Sequence, residues 1–242
     1  MGEKYSIVIP TFNEAENIIT LLSAIEKIFE RTKEDIELIV IDENSQDGTY
    51  DNVLHFSESR DFIRIEKNPG TPGLSSSIVY GFDIADGDYL CCMDGDLQHD
   101  EAMLPELFRE ARNGCDMVIG SRYVPGGGFT NRCDPIRKLG SQIITMMTRF
   151  VLNIKIADPM SGFFVIRKNT YKRVCEKLNP SGFKLMLELL YNLRFLDYEP
   201  KVKEVGILFR NRKYGESKMN TKVVWLVIKM LFDLRKSSKR YN

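Results

Sequence analysis

Short apolar runs alternate with helix-length segments through the first 120 residues, and no other property of the chain restricts its fold as much. Tyr5–Pro10, Ile36–Ile41, Phe62–Glu66, Tyr89–Met93 and Met117–Ile119 read as short buried strands. The segments 14–30, 48–59, 74–85 and 101–113 between them have helical spacing. Alternating β and α of this kind predicts a mostly parallel sheet with helices on both faces. Such sheets bind ligands beyond the carboxyl ends of their strands. The polar clusters of this chain stand there: Thr11–Glu14, Asp42–Thr49, Asp94–Gln98 and Ser121–Arg122 each follow a predicted strand.

After residue 122 the pattern changes. Val124–Phe129 (VPGGGF) is a glycine-rich loop, and Asn131–Lys138 is basic. A helix is expected at about 137–153, a strand at Phe163–Arg167, a helix near 183–195, a strand over 201–209 and a last helix over 221–238. No linker composition marks a boundary near 122, so the change reads as a change of role inside one unit.

Net charge is zero, yet residues 1–119 carry 9 Lys/Arg against 25 Asp/Glu and residues 120–242 carry 25 against 9. An acidic half suits cations, and a basic half suits phosphates or an anionic bilayer. Five cysteines without a CxxC pair, and a start that runs straight into a strand pattern with no secretory signal, predict a reduced, cytosolic setting. The longest apolar stretch, Val223–Ile228, is far short of the ~20 residues needed to cross a bilayer. Between Asp134 and Asp158 there is no acid, while Arg137, Lys138, Arg149 and Lys155 sit among apolar residues. In the last helix Lys222, Lys229, Asp233, Lys236 and Arg240 form one narrow polar stripe beside an apolar face around Trp225. Both segments read as basic amphipathic helices suited to a membrane surface or a membrane partner.

Asp94-Gly95-Asp96-Leu97-Gln98 is the densest chemical signal. Two carboxylates one residue apart at a strand end can share one Mg²⁺ or Mn²⁺ with diphosphate and water. A lone DxD is a weak motif, and its placement after a buried strand is what strengthens it. In the second cluster, Asp47-Gly48 is a turn signal and Asp47 or Ser45 is placed to cap the following helix. Phe12 is suited to stacking on a base, and Glu14 to accepting hydrogen bonds. Cys91 and Cys92 read as small buried hydrophobes, His99 as a surface residue with a supporting place behind the metal motif as the alternative, and no P-loop or GxGxxG is present.

Several blocks together resemble the polyprenol- and dolichyl-phosphate mannosyltransferases, glycosyltransferases of family 2 in the inverting GT-A class. The blocks are Ser6–Ile18, Ile39–Thr49, Tyr89–Gln98, Val118–Tyr123, Asp158–Lys168 and Arg212–Lys218, spread over most of the chain. The resemblance implies a Rossmann-like GT-A fold in which Pro10, Phe12, Glu14, Ile41 and Glu43 contact the nucleotide. It assigns the diphosphate and metal to Asp94, Gly95 and Asp96, with Gln98 completing the metal shell. It places Arg122, Lys184, Arg212 and Lys218 on donor phosphates or the transferring sugar, and Arg137 and Ser141 on the acceptor phosphate. Two departures stand at the nucleotide: Glu43-Asn44 replaces the usual Asp-Gly, and Phe12 replaces a usual Tyr.

The expected reaction is transfer of mannose from GDP-mannose to a polyprenyl or dolichyl phosphate, with UDP-glucose as the second donor. It would occur at the cytosolic face of a membrane (endoplasmic reticulum or plasma membrane), with the chain peripheral to it and separate membrane-anchoring subunits as candidate partners. No nucleic-acid partner is expected. The chain then divides into a catalytic unit over 1–220, with nucleotide and metal residues in 1–122 and acceptor residues in 123–220, and a basic helix over 221–242. A sugar nucleotidyltransferase would need a glycine-rich loop with a basic residue after the first strand, where this chain has Pro10–Glu14. A non-catalytic subunit would not need Asp94, Asp96, Arg122 and Lys218 together.

Overall fold

The computed structural model describes residues 2–130, 145–179 and 185–211. Its centre is a seven-stranded sheet in the order β3-β2-β1-β4-β7-β5-β8. The strands are β1 (Lys4–Thr11), β2 (Asp35–Asp42), β3 (Ile63–Lys67), β4 (Tyr89–Cys92), β5 (Met117–Ser121), β7 (Phe164–Arg167) and β8 (Val202–Gly206). All neighbours run parallel except β7, which lies antiparallel between β4 and β5. The chain moves outward from β1 through β2 to β3, then returns to place β4 on the other side of β1. The point where the order reverses is therefore the gap between the ends of β1 and β4.

Both faces of the sheet are covered, as the apolar strands require. Helices α1 (Ile18–Thr32), α2 (Thr49–Ser57) and α4 (Leu104–Arg112) pack with Ile7, Ile9, Leu38 and Val40. Helix α1 does so with Ile18, Leu21, Leu22, Ile25 and Phe29, a single stripe at helical spacing. On the other face α3 (Leu74–Ile84) and α7 (Leu185–Leu193) pack with Val8, Ile39, Ile41 and Leu90. Alternate residues of each strand thus feed opposite cores. Residues 145–152 form helix α5, and a short α6 (Lys168–Lys172) follows β7. The amino ends of the central strands are closed by the buried Glu37, which accepts hydrogen bonds from Ser6 Oγ at 2.5 Å and from the main chain of Asp86 at 2.6 Å.

The expected strands and main helices are present, with instructive shifts. Residues 14–17 form a turn, because the Glu14 carbonyl already accepts the N–H groups of Asn17 and Ile18. The stretch 201–209 is two strands: Ile207 donates to the Ser121 carbonyl at 2.9 Å, and beyond it β9 (Leu208–Phe209) pairs with β6 (Gly128–Phe129) in a separate two-stranded sheet. The glycine-rich loop makes this possible. A Cβ on Gly206 would stand 2.4 Å from the Pro125 carbonyl oxygen, and one on Gly127 would stand 2.4 Å from that of Ser121. Of the two amphipathic helices, residues 137–144 and 221–242 lie outside the described residues.

Helix α7 is buried along its whole length, including Glu188. Burial pushes the Glu188 carboxyl up to about 7, and the Asn179 N–H, 2.7 Å from Oε2, opposes it only in part.

Two tests follow from this packing. Gly206→Ala forces backbone apart where no flexible side chain can yield, so a loss of about 1–3 kcal/mol and a melting temperature several degrees lower are expected. For Glu188 the sign is fixed by the raised folded-state value: between the unfolded carboxyl value near 4.3 and about 7, the native protein keeps a proton that the unfolded chain releases. Stability should therefore fall from pH 5 to pH 8 by an amount on the order of 3 kcal/mol from this group, and Glu188→Gln should narrow that gap in thermal melts.

Candidate active site

The loops leaving β1, β2 and β4 are knitted into one surface at the switch point. Thr11 Oγ1 donates to Asp42 Oδ1 at 3.2 Å, and Asp42, itself buried, accepts Ser45 N and Oγ at 2.9 and 2.6 Å. Ser45 Oγ accepts the Asn13 N–H, Asn13 Oδ1 accepts that of Gln46, and Thr49 Oγ1 accepts that of Glu14. Asp47 accepts the N–H groups of both Thr49, the first residue of α2, and Ala15 ahead of α1. Burial alone would raise its carboxyl; the Thr49 hydroxyl and these N–H groups hold it below the usual range. Neither Asp47 nor Ser45 is the N-cap of α2, which is Gly48 in the left-handed region; Asp47, one residue earlier, holds the Thr49 N–H, and Ser45 ties the two loops together.

The residues expected at the nucleotide lie along this edge. Pro10 and Ile41 face each other across the β1–β2 register, both buried. Phe12, directly after β1, is 44% exposed, whereas Glu14 is buried with Oε2 accepting Asn17 Nδ2 at 2.7 Å. Glu43 turns its carboxylate to the loop ahead of α3. Oε2 accepts the Gly73 N–H at 2.7 Å, and Oε1 accepts the Ser77 hydroxyl and Asn68 Nδ2.

Asp94, Gly95 and Asp96 follow β4 at the opposite lip. Gly95 lies against β1, where a Cβ would stand 3.3 Å from Thr11 Cγ2. Asp96 is 5% exposed and accepts the Gln98 N–H at 3.1 Å. Between them Leu97 holds φ +61°, a left-handed conformation costly for a branched side chain. Gln98 is bolted to the residue after β9: its Nε2 donates to the Arg210 carbonyl at 3.0 Å, and its own carbonyl accepts the Arg210 N–H at 2.8 Å. The Arg210 guanidinium then grips Asp100 at 2.7 Å and Glu101. His99, read from the sequence as a surface residue, is 2% exposed, because its ring stacks on Phe163 and meets Phe209 edge-on.

Arg122, directly after β5, meets a partner that the sequence reasoning missed. Its N–H, Nε and Nη2 donate to Asp158 at 3.1, 2.7 and 2.8 Å, and Asp158 is 0% exposed. Asp158 is held in turn, since its own N–H and that of Ala157 donate to Glu204 on β8. The rings of Phe209, Tyr123 and Phe129 lie 5.3, 5.4 and 6.0 Å from the guanidinium carbon. Burial works against the Arg122 charge, but the Asp158 hydrogen bonds and charge outweigh it and raise the guanidinium above its ordinary value. The Asp94 carboxylate acts in the same direction, and Phe209, which meets the His99 ring edge-on and lies against the Arg122 guanidinium, joins the DxD turn to the Arg122–Asp158 pair. The signal for Asp158 is its position as the first acid after a long acid-free stretch, inside the DPMSGFFVIRK block.

Residues 6–175 match the family model described as glycosyl transferase family 2. The chain belongs to that family. A dolichol-phosphate mannosyltransferase of Pyrococcus furiosus is 37% identical over 235 residues, 96% of this chain and 64% of that protein. One of Saccharomyces cerevisiae is 37% identical over 239 residues, 97% of this chain and 88% of that protein. The chain therefore spans just under two thirds of the Pyrococcus relative. Glucosyl-3-phosphoglycerate synthase of Mycobacterium tuberculosis, solved with Mn²⁺, UDP-glucose and phosphoglyceric acid, superposes with a TM-score of 0.71 at 18% identity, covering 97% of this chain and 80% of that one. Mannosyl-3-phosphoglycerate synthase of Rubrobacter xylanophilus gives 0.70 at 15%, covering 99% and 75%. The fold is the GT-A arrangement that the strand pattern and the resemblance led us to expect.

Of the expected site residues, Pro10, Phe12, Glu14, Ile41, Glu43, Asp94, Gly95, Asp96, Gln98 and Arg122 stand at the carboxyl ends of the central strands. Arg137, Ser141, Lys184, Arg212 and Lys218 lie outside the described residues. Asp158→Ala leaves a buried guanidinium unpaired and is expected to cost about 3–5 kcal/mol in denaturant unfolding. An Arg122→Met/Asp158→Leu double variant should recover much of that stability and none of the activity.

Proposed function

We propose that this chain transfers mannose from GDP-mannose to dolichyl or polyprenyl phosphate, with inversion and with Mg²⁺ or Mn²⁺, at the cytosolic face of a membrane. The observation that carries the reading is that the Asp94–Asp96 turn, through His99, and the Arg122–Asp158 pair both pack on Phe209 beyond the strand ends of a family 2 fold. Its relatives' names, dolichol-phosphate mannosyltransferase, supply the sugar and the acceptor.

The donor set fits a divalent cation that keeps most of its shell for substrate. Among the described residues no group of three or more His, Cys, Asp or Glu forms a ready-made cage. Asp94 and Asp96 with the Gln98 amide oxygen are hard oxygen donors, suited to an ion that also takes diphosphate and water. When bound, the cation would neutralise charge developing on the departing nucleoside diphosphate.

The chain's own residues do the rest. Phe12, exposed at the end of β1, offers a face for the base. Glu43, one methylene longer than the usual Asp, fixes the loop 68–73 and so shapes the base pocket through that loop. Arg122 presents a charge that cannot titrate away, oriented by Asp158. Arg212 and Lys218, with Arg137, Ser141 and Lys184, are assigned to donor and acceptor phosphates. An acceptor phosphate has a second pKa near 6 and is largely dianionic at neutral pH, so attack needs alignment and charge neutralisation and no general base.

The membrane part rests on α5. Its inner side is Thr145, Thr148 and Leu152, while Met146, Met147 and Phe150 point outward beside Arg149, with Phe150 88% exposed. Large apolar groups with a basic neighbour suit a bilayer surface. No helix among the described residues is long and apolar enough to cross a membrane. A separate membrane subunit would serve as anchor.

A screen of nucleotide sugars against dolichyl phosphate, with and without Mg²⁺ or Mn²⁺, tests this reading. Mannosyl transfer from GDP-mannose, lost on chelation and reduced at least about 100-fold by Asp96→Ala, is the expected result. Preferred use of UDP-glucose would overturn the donor, and metal-independent turnover the cation. Phe150→Ser should slow transfer to acceptor in vesicles and leave transfer to detergent-dispersed acceptor unchanged; equal effects in both would remove α5 from the membrane.

A further inference from the structure

His99 is five residues beyond Asp94, and the turn between them folds its ring back against that acid. Nδ1 accepts the Asp94 N–H at 3.2 Å. A neutral imidazole that accepts at Nδ1 carries its proton on Nε2, and Nε2 stands 3.6 Å from Asp94 Oδ2. The ring cannot turn away: it lies 5.4 Å from the Phe163 ring at an interplanar angle of 21°, and 5.6 Å from Phe209 at 62°. Gly162 forms the remaining wall. A Cβ there would stand 3.0 Å from Asp94 Oδ2 and 3.3 Å from His99 Cε1, so a side chain would press on both groups and the glycine leaves acid and imidazole side by side undisturbed. The Asp94 side chain is 36% exposed, whereas that of His99 is buried.

We infer that His99 is a positioning residue for Asp94, holding its main chain with one ring nitrogen and facing its carboxylate with the other, so that the open carboxylate edge is aimed at the cation and diphosphate. Outer groups of this kind orient first ligands, and their loss typically weakens metal affinity about 10–100-fold. The inference rests on the reading of Asp94–Asp96 as a cation site, and the test separates the two.

Mn²⁺ binding in the presence of GDP, followed by the EPR signal of free Mn²⁺, is measured for the wild type, Asp96→Asn, His99→Phe, His99→Asn and His99→Gln, each with a thermal melt. His99→Phe keeps the stacking and loses both nitrogens. His99→Asn keeps an acceptor for the Asp94 N–H and is too short to face the carboxylate. His99→Gln restores an N–H toward the carboxylate. The expected result is Mn²⁺ affinity about 10–100-fold weaker in the Phe and Asn variants and close to wild type in the Gln variant, whatever their melting temperatures. Wild-type affinity in His99→Asn or His99→Phe, with Asp96→Asn impaired, overturns the role of His99. Wild-type affinity in Asp96→Asn overturns the cation site itself. If His99→Phe does not fold, the contrast of Asn with Gln decides.

Discussion

The burial of β1 between β2 and β4 is the constraint on which everything else hangs. A strand covered on both faces and paired on both edges can release its chain only at its ends. At the amino end Glu37 and Ser6 fill the space and close it. At the carboxyl end the loops after β1 and β4 part in opposite directions, because β2 and β4 were added on opposite sides. Phe12 and Glu14 leave on one lip, Asp94 and Asp96 on the other. The site exists because the strand order reverses there, and its chemistry comes from what the loops carry.

The second half of the chain contributes rigidity to that opening. Arg122 is paired with a fully buried acid, ringed by three aromatic residues and tied through Asp158 to β8. Arg210 does the same for the loop after the DxD turn, with main-chain bonds to Gln98 and side-chain bonds to Asp100 and Glu101. A site that must hold phosphates against one another has to hold its own charges still, since reorganisation of dipoles and side chains would cost what their placement contributes. The strained backbone at Leu97 belongs to the same economy: it re-aims two neighbouring side chains at the expense of local comfort.

Much of this was legible from residue order. Continuous apolar runs announced buried parallel strands, and polar clusters after them announced the ligand edge. What escaped was whatever depends on residues far apart in sequence. Nothing local says that Phe164–Arg167 inserts antiparallel between β4 and β5, because an apolar strand looks the same in either direction. His99 stands in a polar turn between Gln98 and Asp100 and reads as exposed; its burial is decided by Phe163 and Phe209, more than 60 residues away. Asp158 shows an acid and no hint of Arg122. The split at Ile207 is set by Gly127 and Gly206, where the informative fact is the absence of side chains.

The inserted strand has a consequence for how the molecule is made. β4 is complete at Cys92, but its partner on that side, Phe164, comes some seventy residues later. At a synthesis rate of about 5–20 residues per second, that edge waits on the order of ten seconds without its partner. During that interval the nascent chain presents an apolar strand with unpaired backbone groups, the kind of surface that recruits chaperones or neighbouring chains. The arrival of β7 closes the edge and, through Gly162, sets the last wall beside Asp94. Closing that edge and placing Gly162 beside Asp94 are one event, and β8 is added to the other side of β5 only afterwards.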